Sequence, residues 1–367
     1  MKTRAILLAL CCACGGQRAA PIAAGESAGQ APAGAATGEP SSSPPRYILT
    51  EVPARGDSSW AVAINERGQM AGNSGGPPWT AWRYDPEREV VEELVPPNPT
   101  GAFASAIGDE GAVAGGTFEN HRLQAYLTGR NGVEPIGQGQ QLLVSGLGPK
   151  GAVVGTMLGA NDQAVRVEHG AVSPLPVTSS GSFATATNRR GDVVGSAYVN
   201  DGSPDFGDPN ELMRAFLVHN GAVVQLGTLG ARSWPKAIND AGQIVGDSTV
   251  VTGGYRLSGA AFIYEAGKMR ALSGCPIQGE VAFEANAIDS HGHVLGTCVM
   301  PASRTPPYPQ QHPFVVWSAT LFSLQDLLDA PGWVLDQAVG INAAHQIAAT
   351  AISPDGSTRA VLLLPQH

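Results

Sequence analysis

Charge and aromatic side chains are scarce in this chain. Charged residues make up 14% and aromatic residues 6% of its 367 positions. No apolar pattern of helical period runs for a useful length, which excludes a helical bundle. Basic residues are outnumbered, 22 Lys and Arg against 31 Asp and Glu. A surface of that sign repels phosphate backbones and anionic headgroups, so nucleic acid is not an expected partner. Cysteine is nearly absent beyond the first turn of sequence: after Cys11, Cys12 and Cys14 only Cys275 and Cys298 occur. Apolar runs are short as well, and the longest, near the N-terminus, could not cross a bilayer as a helix.

Glycine and proline are plentiful, with 47 and 28 copies. Such a composition requires frequent turns and short strands. The turns are ordered by a repeat. One phrase, Ala-x-Ala-Ile-Asn-x-x-Gly-x-Val-Val-Gly, recurs at Trp60 to Gly72, Phe103 to Gly115, Leu143 to Gly155, Phe183 to Gly195, Trp234 to Gly246 and Glu284 to Gly296. A degenerate seventh copy spans Gln337 to Ala349. The spacing of 40 to 51 residues between the first glycines is that of a propeller or solenoid.

Each phrase reads as strand, turn, strand, since Asn or Asp followed three residues later by Gly suits a type I turn. A third strand follows in every unit, from Ala81 to Tyr84 in the first to Ala360 to Leu363 in the last, and most units add a fourth. The last unit ends one strand short, whereas Tyr47 to Val52 precede the first unit as a spare. The expected fold is therefore all-β: a seven-bladed β-propeller of four-stranded blades, closed by the N-terminal strand.

Three domains of behaviour are expected. Residues 1–14 place Lys2 and Arg4 before a short apolar core, the outline of a secretory leader, and its cysteines suggest lipidation at Cys14. Residues 15–45 hold almost no apolar bulk and should be a flexible tether. Residues 46–367 carry the propeller. The expected location is the outer membrane or cell surface, with a periplasmic or freely secreted protein as the alternative. In an exported protein Cys275 and Cys298 are candidates to pair.

Site candidates follow from position in the repeat. Trp60, Phe103, Phe183 and Trp234 stand where the innermost strands begin, and with Tyr308 they could offer aromatic faces to a sugar or peptide at the channel mouth; packing between blades would use the same residues. The gap between second and third strands is longer in units four, five and six, giving a lip of Asp201 to Glu211, Val250 to Ser258 and Pro301 to Gln311. Asp201, Asp205, Asp208 and Glu211 gather oxygen ligands of the kind calcium takes, without an EF-hand spacing. His291-Gly292-His293 supplies two imidazoles, too few donors for a structural zinc site, and reads as an ordinary polar turn. Gly72-Asn73-Ser74-Gly75-Gly76 matches G-x-S-x-G, but on a strand end rather than a strand-to-helix elbow.

Ala237 to Gly246, preceded by Gln225 to Gly230 and by Arg214-Ala215-Phe216-Leu217, resembles the bacterial extracellular HAF repeat family, named for a His-Ala-Phe motif. His312-Pro313-Phe314 keeps two letters of that motif. The resemblance covers nearly all of residues 47 to 367 and implies propeller blades and export, with no catalytic residue to carry over. The function expected is a monomeric binding or scaffold module that engages a polysaccharide or an envelope or extracellular protein through its long-loop face, touching the membrane only through its lipid and needing no cofactor, with calcium in the acidic loop as the one alternative. A polysaccharide lyase or glycoside hydrolase, and an envelope scaffold, are the alternatives.

Overall fold

The computed structural model describes residues 43–366 except 76–78, 96–100, 120–121, 130–131, 138, 200–212, 253–254, 273, 276–281 and 300–310. Seven sheets are arranged about an axis, each running outward in chain order from an innermost strand. Blade 1 is Ser59–Ile64, Met70–Ser74, Thr80–Asp85 and Val90–Leu94. Blades 2 to 6 repeat this antiparallel meander from innermost strands Ala102–Ile107, Leu142–Leu147, Ser182–Thr187, Ser233–Ile238 and Ala282–Ile288.

Blade 7 is assembled from both ends of the described chain. Its strands Val334–Ile341, Ile347–Ile352 and Thr358–Pro365 are followed by Tyr47–Glu51, which pairs antiparallel with the last of them from Tyr47 opposite Pro365 to Glu51 opposite Val361. A fifth strand not foreseen from sequence, Leu328–Asp329, lies parallel to Tyr47 and Ile48 on the outer edge. It follows a single helical turn, Leu324–Leu327, whose first turn is capped by the Ser323 hydroxyl. The innermost strand of blade 1 packs against blade 7, so the ring is closed.

The second-strand glycine of the repeat has a packing reason. Gly72, Gly115, Gly195, Gly246 and Gly296 each lie opposite a third-strand aromatic ring: Trp82, Tyr126, Phe216, Phe262 and Phe314. A Cβ at these glycines would overlap the ring and a carbonyl of the innermost strand. In blade 7 the glycine becomes Ala349 and its partner shrinks to Val361. These rings are among the largest fully buried side chains, and the core runs as a series of clusters between neighbouring blades.

The innermost strand carries a bulge at the same place in all seven blades, between Ala61 and Ala63 in the first and between Ala338 and Gly340 in the last. The bulged residues Val62, Ser105, Ser145, Thr185, Lys236, Asn286 and Val339 are half-buried. Serines at the start of innermost strands tie adjacent blades, with Ser59, Ser182 and Ser233 accepting from the backbone of Ala360, Ala164 and Ala215. Blade 7 has a second bulge at Asp336, where burial pushes the carboxyl pKa up. A raised acid holds its proton more firmly in the folded state, so stability falls as pH rises from the unfolded value through the folded one. Asp336→Asn is therefore expected to melt higher than the parent at pH 7.5 and no higher at pH 3.5, read by thermal unfolding at both.

Candidate functional site

The two ends of the innermost strands differ in chemistry. At their start, half-buried Trp60 and Trp79 meet edge to face at 6.5 Å, and Trp79 meets Phe103 at 6.3 Å. Phe183 lies 6.2 Å from Tyr198 and 5.9 Å from Trp234, so a second aromatic group joins blades 4 and 5. Phe103 is only 2% exposed and its ring fills the space left by Gly116, so it packs blade 2 instead of presenting a face. Trp60, Phe183 and Trp234 are each half-buried. Trp79 and Tyr198 were not singled out from sequence, because they lie outside the repeated phrase.

Beside the second group sits a charged cluster. Lys236 donates to Glu284 at 2.5 Å and to Asn286 at 3.0 Å, and lies 3.8 Å from Asp247, which also pairs with Arg232 at 3.0 Å. Glu284 thus shares one ammonium with Asp247, and that ammonium sits between the two carboxylates where a glycoside hydrolase would leave room for substrate. Tyr308, Asp201, Asp205, Asp208, Glu211 and Cys14 lie outside the described residues. The stretch expected as a blade 5 loop at Val250 to Ser258 instead continues the hairpin, with Thr252 paired to Tyr255, because β-branched residues on one side extend the ladder. Asn73 and Ser74 are buried in a strand, Asn73 bonding the Ala104 backbone, so the G-x-S-x-G match has no nucleophile geometry. Cys275 and Cys298 form a disulfide with Cα atoms 6.0 Å apart, tying the segment after blade 5 to the second strand of blade 6.

The opposite end is built from the repeated turns. Asn65, Asn188, Asn239 and Asn342 each use the side-chain oxygen to close their own turn and the amide nitrogen to reach the next blade. Their amides donate to the carbonyls of Gly108, Asn239, Asp289 and Asn65 at 2.9 to 3.1 Å. In three of these turns the same amide also bonds the Gln four residues on: Gln69, Gln243 and Gln346. Across this mouth Arg189 of blade 4 reaches Asp109 of blade 2 at 2.7 Å, with Asp240 of blade 5 at 3.8 Å and Glu66 of blade 1 at 3.9 Å. The Asp109 hydrogen bond, reinforced by the surrounding carboxylates and opposed by partial burial, pushes the guanidinium pKa further up.

Blade 6 departs from the pattern. Its turn has Asp289 in place of Asn and His293 in place of Gln, and the next turn puts His345 where the other six turns have Gly. Asp289 Oδ1 closes the turn, accepting from the backbone of His291 and His293. Its Oδ2 lies 2.8 Å from His293 Nδ1, 3.7 Å from His291 Nδ1 and 4.0 Å from His345 Nε2. One donor atom from each of the four residues lies within 4.8 Å of all the others. Trp317 stacks on His293 at 3.5 Å and abuts His345 at 4.6 Å. The Tyr47 hydroxyl is fully buried without a hydrogen-bond partner, and burial first, then the Asp289 charge, pushes its pKa well above the phenol range. Sequence reasoning found two of the four donors. Asp289 reads there as one more turn former, and His345 is hidden in the degenerate seventh copy.

The fold defines the class: a closed seven-bladed β-propeller. Among solved structures the chain is similar to the β-propeller domain of the trilobed protease of Pyrococcus furiosus, described as having an open velcro topology, at 8% identity and a TM-score of 0.56 over 83% of this chain and 93% of that one. It is similar also to the acylaminoacyl peptidase of Pyrococcus horikoshii, at 10% identity and TM-score 0.55, and to a puromycin-hydrolysing peptidase of Mycobacterium tuberculosis, at 13% and 0.53. The chain spans 83% to 84% of its own length in those two matches but about half of theirs, 52% and 50%. No protein-family profile matches the chain, and no curated protein does.

Proposed function

We propose that this chain is an exported, lipid-anchored propeller of the HAF-repeat kind that binds a polysaccharide or an envelope protein on the face where the innermost strands begin. The observation that carries the reading is the pair of aromatic groups there, Trp60 with Trp79 and Phe183 with Tyr198 and Trp234, adjoining the Lys236 and Glu284 cluster. Half-buried rings next to fixed polar groups suit stacking against sugar rings or peptide side chains. The blades differ little from one another, and the two carboxylates that meet on this face, Glu284 and Asp247, are both held by the Lys236 ammonium, which favours binding over glycoside hydrolysis. The leader, the tether and the Cys275–Cys298 bridge support an oxidising compartment outside the cytoplasm.

The test is a glycan array with the full mature chain, followed by Trp234→Ala and Trp60→Ala. Loss of one aromatic anchor should weaken binding about 30-fold, which is about 2 kcal/mol, with cooperative melting retained. Binding unchanged in both variants would remove the face as the site, and no glycan bound with envelope proteins still captured would select the scaffold. Mass spectrometry of the native N-terminus should find a diacylated or triacylated Cys14; an unmodified start would remove the anchor.

A further inference from the structure

We propose that Asp289, His291, His293 and His345 form a zinc site that joins blade 6 to blade 7, on the opposite end of the innermost strands from the proposed ligand face. Three observations meet there. The donor set is three imidazoles and one carboxylate, the borderline ligands that zinc takes in tetrahedral sites. In a tetrahedral site with bonds of 2.0–2.1 Å the ligand atoms stand about 3.3 Å apart. The distances of 2.8, 3.7 and 4.0 Å from Asp289 Oδ2 to the three imidazoles bracket that value, and all four donor atoms lie within 4.8 Å of one another.

The second observation is the break in the amide belt. At the junctions made by Asn65, Asn188, Asn239 and Asn342 an amide N–H bonds the next blade. Gly108 and Gly148 bring no side chain to that place, whereas Asp289 brings a buried carboxyl with only oxygens to offer, and a buried oxygen needs a donor or a cation to face it. A cation held jointly by Asp289 of blade 6 and His345 of blade 7 restores a link between the two turns.

The third is backbone conformation. Gly68, Gly111, Gly151, Gly191, Gly242 and Gly292 take the left-handed conformation at this turn position, and His345 takes it too, at φ 58°. Histidine tolerates this conformation better than most residues, and His169 also takes it, at φ 50°, so what sets His345 apart is its place in the repeat, where a side chain stands at a position that is glycine in the other six turns. Elsewhere the glycine leaves room for a side chain of the preceding blade, as Gly111 does for Gln69 and Gly292 for Gln243. Here that neighbour is His293, whose ring lies 5.1 Å from that of His345, and Trp317 holds both. Four protein ligands leave no open position, so the ion is structural.

His345→Gly separates this reading from a merely packed histidine, because it restores the glycine of the other six turns and relieves the backbone while deleting one ligand. Chelator-stripped, tag-free full chain is titrated with zinc chloride and melted with and without it. The parent should bind one zinc per chain at submicromolar Kd and melt higher with the ion. His345→Gly should bind at least 100-fold more weakly, lose the zinc-dependent rise, and melt no lower than the stripped parent. His293→Gln, which puts back the side chain that three of the four Asn turns carry, should lose zinc binding likewise. A parent that binds no tighter than 100 μM, or a His345→Gly variant with undiminished affinity, would overturn the site. Both outcomes are independent of glycan binding, so the two proposals stand or fall separately.

Discussion

A chain beginning at residue 53 should fail to unfold cooperatively, whereas one beginning at residue 43 should melt in a single transition. The missing segment is the fourth strand of blade 7, hydrogen-bonded along its length to Thr358–Pro365 and covered on its other edge by Leu328–Asp329. Tyr47 is fully buried in the cluster between blades 6 and 7, and Val52, 1% exposed, lies in the cluster between blades 7 and 1. Truncating a buried aromatic costs about 3–5 kcal/mol. Exposing the valine site and an unpaired strand edge adds to that, against a total stability of about 5–15 kcal/mol. Circular dichroism melting and limited proteolysis of the two chains measure the difference; transitions within a few degrees of each other would mean the ring does not need its closing strand. Point variants sharpen the test. Tyr47→Ala should cost about 4 kcal/mol, while Tyr47→Phe should cost nothing or stabilise by about 1 kcal/mol, since the buried hydroxyl it removes has no partner.

Loss of the Cys275–Cys298 bridge is expected to be the next largest effect. The bond closes a separation of 23 residues, for which the chain-entropy estimate is about 3 kcal/mol. Cys298 is 1% exposed in the cluster between blades 5 and 6, with Cys275 packed against it. Alanine is therefore the suitable replacement, because serine would add a buried hydroxyl. Cys275→Ala with Cys298→Ala should lower the urea midpoint with little change in its slope, and reductant should lower the parent's midpoint by a similar amount while leaving the variant unmoved. An equal response of both proteins to reductant would show that the bridge contributes nothing.

Particular residues show where the sequence was readable. Gly72, Gly115 and their counterparts mark the second strand at sight, and the structure adds that five of them face Trp82, Tyr126 and equivalent rings while Gly155 faces Val165. The spare strand at Tyr47 was legible because blade 7 ran out of chain. The short strand at Leu328 was not, since two residues carry no period. The Val250 to Ser258 segment has loop length but strand composition, and the ladder won. Phe103 and Trp60 occupy the same repeat position, yet only the neighbouring Gly116 decides that one is buried. Arg189 looks like one of many charged turn residues until the ring brings blades 1, 2, 4 and 5 around it.

The linear order of residues determined the number of blades, the turn chemistry and the closure, because each of these is a local pattern repeated at a fixed interval or a single missing strand. Only the closed ring decided which side chains meet. Asp289 and His345 are 56 positions apart and belong to different repeats, and no period in the sequence relates an aspartate in one turn to a histidine standing where glycine belongs in the next. Their meeting is set by the packing of one blade's turn against its neighbour's, a contact that exists only once the sheets stand side by side around the axis.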